Sequence, residues 1–267
     1  MRILLTCIGK CENTYIREFV EYYKNLGVTN ICIFDNNDKD GEYFTDVLSD
    51  YISDKFVYVI DYRGKKVCQL CAYQDAWDMF RDKYDWIMFF DCDEFLDIYD
   101  NSLQEFLDSF KDANIIKVNW KIYGDNELLE NDGRPVRERF TTPLPEHIHI
   151  HYNDKEENDH IKSIVRTDSN INWKNSWNPH IPRLGPNTVV YLSNGNLSSK
   201  PNSPWEKYDY SRACLHHYVT KTAAEFRNKM RRGYADQANS DNTLNVNKFF
   251  RYNSYTEEKE KILRSND

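Results

Sequence analysis

Five apolar or aromatic residues, Trp86-Ile87-Met88-Phe89-Phe90, run without interruption into the acidic cluster Asp91-Cys92-Asp93-Glu94. A short apolar run closed by turn-forming acids predicts a strand buried on both faces, and such strands belong to parallel sheets covered by helices. Carboxylates at the end of a core strand are costly to desolvate unless a cation or a set of donors compensates them. If the extended geometry continues, Asp91 and Asp93 point the same way and Glu94 points to the other side. Mn²⁺ or Mg²⁺ would supply the compensation, since both take oxygen ligands and are commonly shared between carboxylates and substrate phosphates. The alternative is a strand end with acidic turn residues and no ligand.

The flanking segments set the topology. Arg2 to Ile8 predicts a buried strand, and Ile16, Phe19, Val20, Tyr23 and Leu26 fall at helical spacing over Glu12 to Leu26, with Gly27 as the stop. A strand over Asn30 to Asp35, a helix near Tyr43 to Tyr51, a strand over Phe56 to Ile60 and a helix from about Val67 to Tyr84 lead back to the Trp86 strand. Strands alternating with helices make an α/β, mostly parallel, doubly wound, Rossmann-like sheet, in which ligands bind at the carboxyl ends of the strands. Asp35 and the Asp91/Asp93 pair both fall at such ends. Beyond the strand Ile115 to Trp120 the alternation fails, and the C-terminal half is expected to be irregular and partly antiparallel. It holds strand-like segments at Ile161 to Arg166, Thr188 to Leu192 and Ala213 to Val219, and a basic helix from Thr222 to Gly233. The chain is expected to divide into a first half at 1–125, a second half at 126–235 and a tail with a charged helix at 236–267.

Two further patterns invite a metal. Cys68-Gln-Leu-Cys71 has no second pair of its spacing and is best explained as helix packing. His147, His149 and His151 share one face if extended, a spacing that could hold zinc, but the solvated face of an irregular hairpin is the better explanation, since no carboxylate or Cys completes a site. A formal net charge of −8 disfavours a nucleic-acid partner. The opening residues are too short for a signal h-region and no run reaches the length of a membrane span, so a cytoplasmic location is expected, with peripheral membrane contact left open.

Glu12-Asn13 with Ile16 through Val20, Phe34-Asp35-Asn36-Asn37, Trp86 through Phe95, Tyr123-Gly124, Lys162 through Val165, Asn178-Pro-His180, and His217-Tyr-Val-Thr-Lys221 through Phe226 with Lys229 and Arg232-Gly233 occur in family order over nearly the whole chain. In these stretches the chain resembles bacterial glycosyltransferases related to families 2 and 92, enzymes of the GT-A fold. The resemblance implies a UDP-sugar donor, a glycan or glycolipid acceptor, and a Mn²⁺ or Mg²⁺ ion on Asp91 and Asp93. It assigns His217 as a further metal ligand, with the neighbouring His216 as the alternative. It also implies donor contacts from Glu12, Asp35, Asn37, Gln69, Asp91, Lys221, Lys229 and Arg232. Asp93 carries catalysis through the metal. Asp125, in the turn after the Trp120 strand, is the candidate general base, or else a turn-stabilising acid. The basic helix is expected to close over the diphosphate. A nucleotidyltransferase and a catalytically silent sugar-binding module are the competing readings.

Overall fold

The computed structural model describes residues 1–145, 156–233 and 245–265; the His147/His149/His151 pattern lies outside them. Strand β1 (Ile3–Gly9), helix α1 (Asn13–Leu26), β2 (Asn30–Asp35), α2 (Phe44–Ser53), β3 (Val57–Asp61), α3 (Gln69–Phe80) and β4 (Trp86–Phe89) follow the alternation expected from the sequence. Helix α1 buries Ile16, Phe19, Val20 and Tyr23, one stripe of its surface. Gly27 ends it in the left-handed region at φ 103°, where its N–H reaches back to the carbonyls of Tyr23 and Lys24. Helix α3 starts two residues later than expected, because Val67 sits at φ 47°, outside helical space.

Next come β5 (Glu94–Ile98), α4 (Leu103–Asp108), β6 (Ile115–Ile122), the short α5 (Val136–Arg139) and β7 (Ile161–Arg166). The short pair β8 (Ile171–Asn172) and β9 (Arg183–Leu184), β10 (Val190–Leu192), β11 (Ala213–His217), α6 (Ala223–Arg232), α7 (Val246–Tyr252) and α8 (Glu257–Arg264) complete the order. Among the described residues the main sheet has nine strands in the order β3-β2-β1-β4-β7-β6-β11-β5, with β10 also on β6. Parallel ladders join β1 to β2 and β4, β2 to β3, and β6 to β10 and β11. Strand β7 runs antiparallel between β4 and β6, and β5 runs antiparallel on β11. The mostly parallel sheet with a partly antiparallel second half is therefore as expected.

The pleat of β4 explains its unbroken apolar run. Trp86, Met88 and Phe90 enter the core on the α1 side, with Phe19, Tyr23 and Phe95. Ile87 and Phe89 enter the opposite core, with Trp77, Tyr73 and Trp173. Each fully buried side chain of this kind is worth about 1.5–3 kcal/mol. The extended geometry ends at Phe89, so Asp91 and Asp93 do not alternate along a strand: a turn carries them, closed by the Glu94 N–H donating to the Asp91 carbonyl at 3.1 Å. Strand β5, which follows that turn, is not foreseen from the sequence. No helix among the described residues is long and apolar enough to cross a membrane.

Candidate active site

The carboxyl ends of β1, β4, β6 and β11 face one cavity of about 430 Å³, a volume that suits a small ligand. Gly9, at the end of β1, lets the acidic turn pack close, since a Cβ there would meet Phe44 at 2.8 Å and Cys92 Sγ at 3.1 Å. The buried Cys92 thiol points back toward the Ile8 carbonyl at 3.7 Å, which leaves Asp91 and Asp93 on the cavity side.

Asp93 is buried at the centre of a charge network. Lys229 of α6 approaches its carboxylate at 2.8 Å, and His217 Nε2, at the end of β11, lies 3.6 Å away. Burial acts to raise the Asp93 pKa, but Lys229 and His217 outweigh it and hold the carboxyl well below its usual range. His217 is pushed below the ordinary imidazole value by burial, against the pull of Asp93.

Asp91 is held by a separate set of donors. Gln69 and the Tyr73 hydroxyl donate to Oδ1 at 2.9 and 3.2 Å, and Lys162 donates to Oδ2 at 2.7 Å. Lys162 is wholly buried in β7, and the attraction of Asp91 and Glu94 raises its pKa despite the burial penalty. Glu94 locks the turn, accepting from the Asp91 N–H at 2.8 Å and from Trp120 Nε1 at 2.7 Å. Its own carboxyl is pushed well above the usual range by burial, with Lys162 opposing.

On the α6 side, Arg232 pairs with Glu12 at 2.5 Å and also donates to the Lys10 carbonyl. Helix α6 is fixed by a capping box in which Thr222 and Glu225 exchange hydrogen bonds. The opposite wall is aromatic. Trp120 stacks on His160 with centroids 4.7 Å apart and contacts His180 and His217 at 4.9 and 4.3 Å. Trp205 Nε1 donates to His160 Nε2 at 2.9 Å. Burial lowers His160 to about 4 and His180 well below the imidazole norm.

Of the residues expected from the sequence, Glu12, Gln69, Asp91, Asp93, His217, Lys229 and Arg232 all line the cavity. Four do not. Asp35 is buried, accepting from the Asn37 side chain at 2.8 Å and pairing with Arg63 at 3.2 Å. Asn37 accepts from the Cys11 N–H at 2.7 Å. Lys221 is buried 3.7 Å from Glu12. Asp125 is the clearest correction: it pairs with Lys259 of α8 at 2.7 Å and accepts from the Glu127 N–H at 3.0 Å, which is the turn-stabilising role. The structure does not bring it to the cavity, so nothing supports it as a base. Of the two neighbouring histidines, the pleat of β11 turns His217 toward Asp93 and the cavity and His216 toward Asp97.

Trp120 and His160 line the cavity, and Tyr73, Lys162 and Glu94 hold its acidic turn from behind, roles that the sequence reading did not assign. Lys162 had a signal, being a lone cation inside the apolar run Ile161 to Val165. Asp93 Oδ1 and His217 Nε2, 3.6 Å apart at the cavity, are the atoms that could hold a hard divalent cation. Asp91, engaged by three donors, would support such an ion from one side.

The family model described as glycosyltransferase family 92 matches residues 4–251. No curated protein sequence matches the chain. Among solved structures, S. aureus TarS is similar with a TM-score of 0.45 at 12% identity, over 90% of this chain and 41% of that one. S. aureus TarS 1–349 in complex with UDP gives 0.44 at 12% identity, over 90% of this chain and 68% of that one. The same fragment with UDP-GlcNAc gives 0.40 at 13% identity, over 90% and 69%. The chain thus spans about two fifths of the length of full TarS.

Proposed function

The chain belongs to glycosyltransferase family 92, and from that premise we propose that it transfers one sugar from a UDP-sugar to a hydroxyl of a glycan or glycolipid acceptor, with Mn²⁺ or Mg²⁺ as cofactor. The observation that carries this reading is the pairing of Asp93 with both Lys229 and His217 in the cavity wall. Breaking a sugar–phosphate bond leaves a diphosphate whose growing charge must be met by preorganised cations. Lys229 and Arg232 stand on that side of the cavity, each resting on a carboxylate that can release it toward phosphate.

Asp93 and His217 would hold the metal ion, with Asp91 beside them; when bound, the ion would offset charge on the departing diphosphate. Gln69, Tyr73 and Lys162 fix Asp91 so that the acidic turn does not collapse onto its own cations. The wall of Trp120 and Trp205 offers flat apolar faces of the kind that pack against a sugar ring. Acceptor binding belongs there in this reading, opposite the charged donor wall.

The test is nucleoside diphosphate release from a panel of nucleotide sugars, with and without Mn²⁺, in wild type and Asp93→Asn. Release of UDP that depends on metal and vanishes in the variant is the expected result. Binding of UDP-sugar without release under any acceptor would favour the silent module. Pyrophosphate release from a nucleoside triphosphate and a sugar phosphate would favour the nucleotidyltransferase.

A further inference from the structure

Strand β11 carries a second set of ligating side chains on the face turned away from the cavity. Cys214 and His216 alternate with Leu215 and His217 along the strand, so they share the face that His217 does not use. In the antiparallel ladder with β5, Asp97 lies directly across from Cys214. The donor atoms of Asp97, Cys214 and His216 all lie within 4.8 Å of one another. The cavity trio of Asp91, Asp93 and His217 does not form so tight a group.

We propose that Asp97, Cys214 and His216 form a second metal site, for a borderline-soft divalent cation of the zinc type, distinct from the hard-cation site of the cavity. The donor set argues for that class: one thiolate, one imidazole and one carboxylate match the preferences of Zn²⁺ and not those of Mg²⁺. The geometry argues for it too. A tetrahedral zinc with bonds of about 2.0–2.3 Å sets its ligand atoms about 3.3–3.7 Å apart. His216 Nε2 is already 3.5 Å from Asp97 Oδ2, and the group as a whole needs a contraction of about 1 Å.

A third observation is independent of the clustering. His216 Nε2 is buried and has no hydrogen-bond partner, so a ligand on that atom would satisfy a desolvated polar group. The Tyr99 hydroxyl, 3.2 Å from Cys214 Sγ, closes another side of the group. Asp97 is half exposed and gives the ion a way in. Lys121 and Arg137 act on His216 as opposing charges, which the Asp97 carboxylate and a Cys214 thiolate would offset. Binding breaks the Cys214 S–H bond, releases its proton to solvent and forms a sulfur–metal bond, with water in the fourth position.

Such a site would tie β5, the edge strand, to β11. Because β11 presents His217 on its other face, the ion would fix the strand that positions a cavity residue without touching the cavity. Cobalt(II) is the probe, since it takes zinc-type sites and reports thiolate ligation by a near-ultraviolet charge-transfer band. Chelator-stripped full chain is expected to bind one equivalent of Co²⁺ with that band, to lose it to Zn²⁺, and to keep it in excess Mg²⁺. Cys214→Ser should abolish the band, and Asp97→Asn, at a half-exposed position, should weaken Co²⁺ binding at least tenfold. Cys11→Ser and Cys71→Ser, at the exposed thiols, should leave it unchanged. Absence of the band at saturating Co²⁺, or its survival in Cys214→Ser with loss in Cys11→Ser or Cys71→Ser, would overturn the proposal. None of these outcomes depends on sugar transfer, so the two readings fail separately.

Discussion

Asp93 meets Lys229 at 2.8 Å and His217 at 3.6 Å, so its charge is balanced before any ligand arrives. From the sequence alone, two neighbouring carboxylates predict mutual repulsion, and Asp93→Asn would then cost no stability. The structure reverses that expectation. Removing the negative charge strands the largely buried Lys229, and breaking a buried pair on one side costs about 3–5 kcal/mol, less what an amide hydrogen bond retains. Asp93→Asn is therefore expected to lose turnover and also to lower Tm, and calorimetric melting of the purified variant decides it; a Tm at or above wild type would show that Lys229 does not rely on Asp93. Asp93 was legible in the sequence because a carboxylate at the end of a buried strand is costly wherever the chain folds. Asp125 was not, because its partner Lys259 lies in the last helix and no local pattern announces it. Asp35 falls between these cases: it caps β2 as expected, yet Arg63 and Asn37 already occupy its carboxylate. We expect Asp35→Ala to act through folding, lowering Tm while leaving UDP affinity within about twofold once folded protein is titrated by calorimetry, since the lost interaction is a buried ion pair and not a ligand contact.

At the scale of elements, the first four strands and their helices were legible because each is a local pattern: a continuous apolar run for a strand covered on both faces, a stripe for a helix. Strand β5 was not. Its five residues, Glu94 to Ile98, are read first as the continuation of an acidic motif, and among the described residues its ladder is with β11, more than a hundred residues on. Helix α6 shows the opposite outcome. Its basic character suited a segment that closes only on ligand, but in the structure it is already docked by Lys229 on Asp93, Arg232 on Glu12 and a complete capping box. Thr222→Ala would remove the side-chain cap that accepts from the Glu225 N–H, a change worth about 1 kcal/mol. The expected outcome is a modest fall in Tm with faster amide exchange confined to residues 223–232. If exchange there matches wild type, the docking contacts and not the cap hold the helix.

For the whole molecule, the sheet gathers neutral imidazoles into one desolvated region and so sets how the fold responds to acid. His160 titrates near 4 because it is buried beside Trp120 and Trp205, and His180, wholly buried, lies well below the imidazole norm, with the nearby Lys162 charge adding to the effect. In the unfolded chain both take up protons at about pH 6.5. Between that value and the folded ones, the unfolded state binds more protons than the native state, so stability falls as pH falls. A displacement from 6.5 to about 4 for His160 corresponds to on the order of 3 kcal/mol, fully lost only once the pH has dropped below both values. The depressed carboxylates add a second window below the first. Glu225, held near 2 by Arg139 and Tyr15 against the cost of its burial, contributes stability that is present above its unfolded value and lost as pH falls toward 2. The buried histidines therefore lower the urea midpoint as pH falls from about 6.5. Glu94, whose carboxyl burial pushes above its usual range, acts in the opposite sense, so the comparison is between wild type and a histidine variant from pH 7.5 to 4.5. His160→Gln, which can never take up that proton, should start lower at pH 7.5 and decline less steeply. Parallel slopes in the two proteins would mean that His160 is not a source of acid sensitivity.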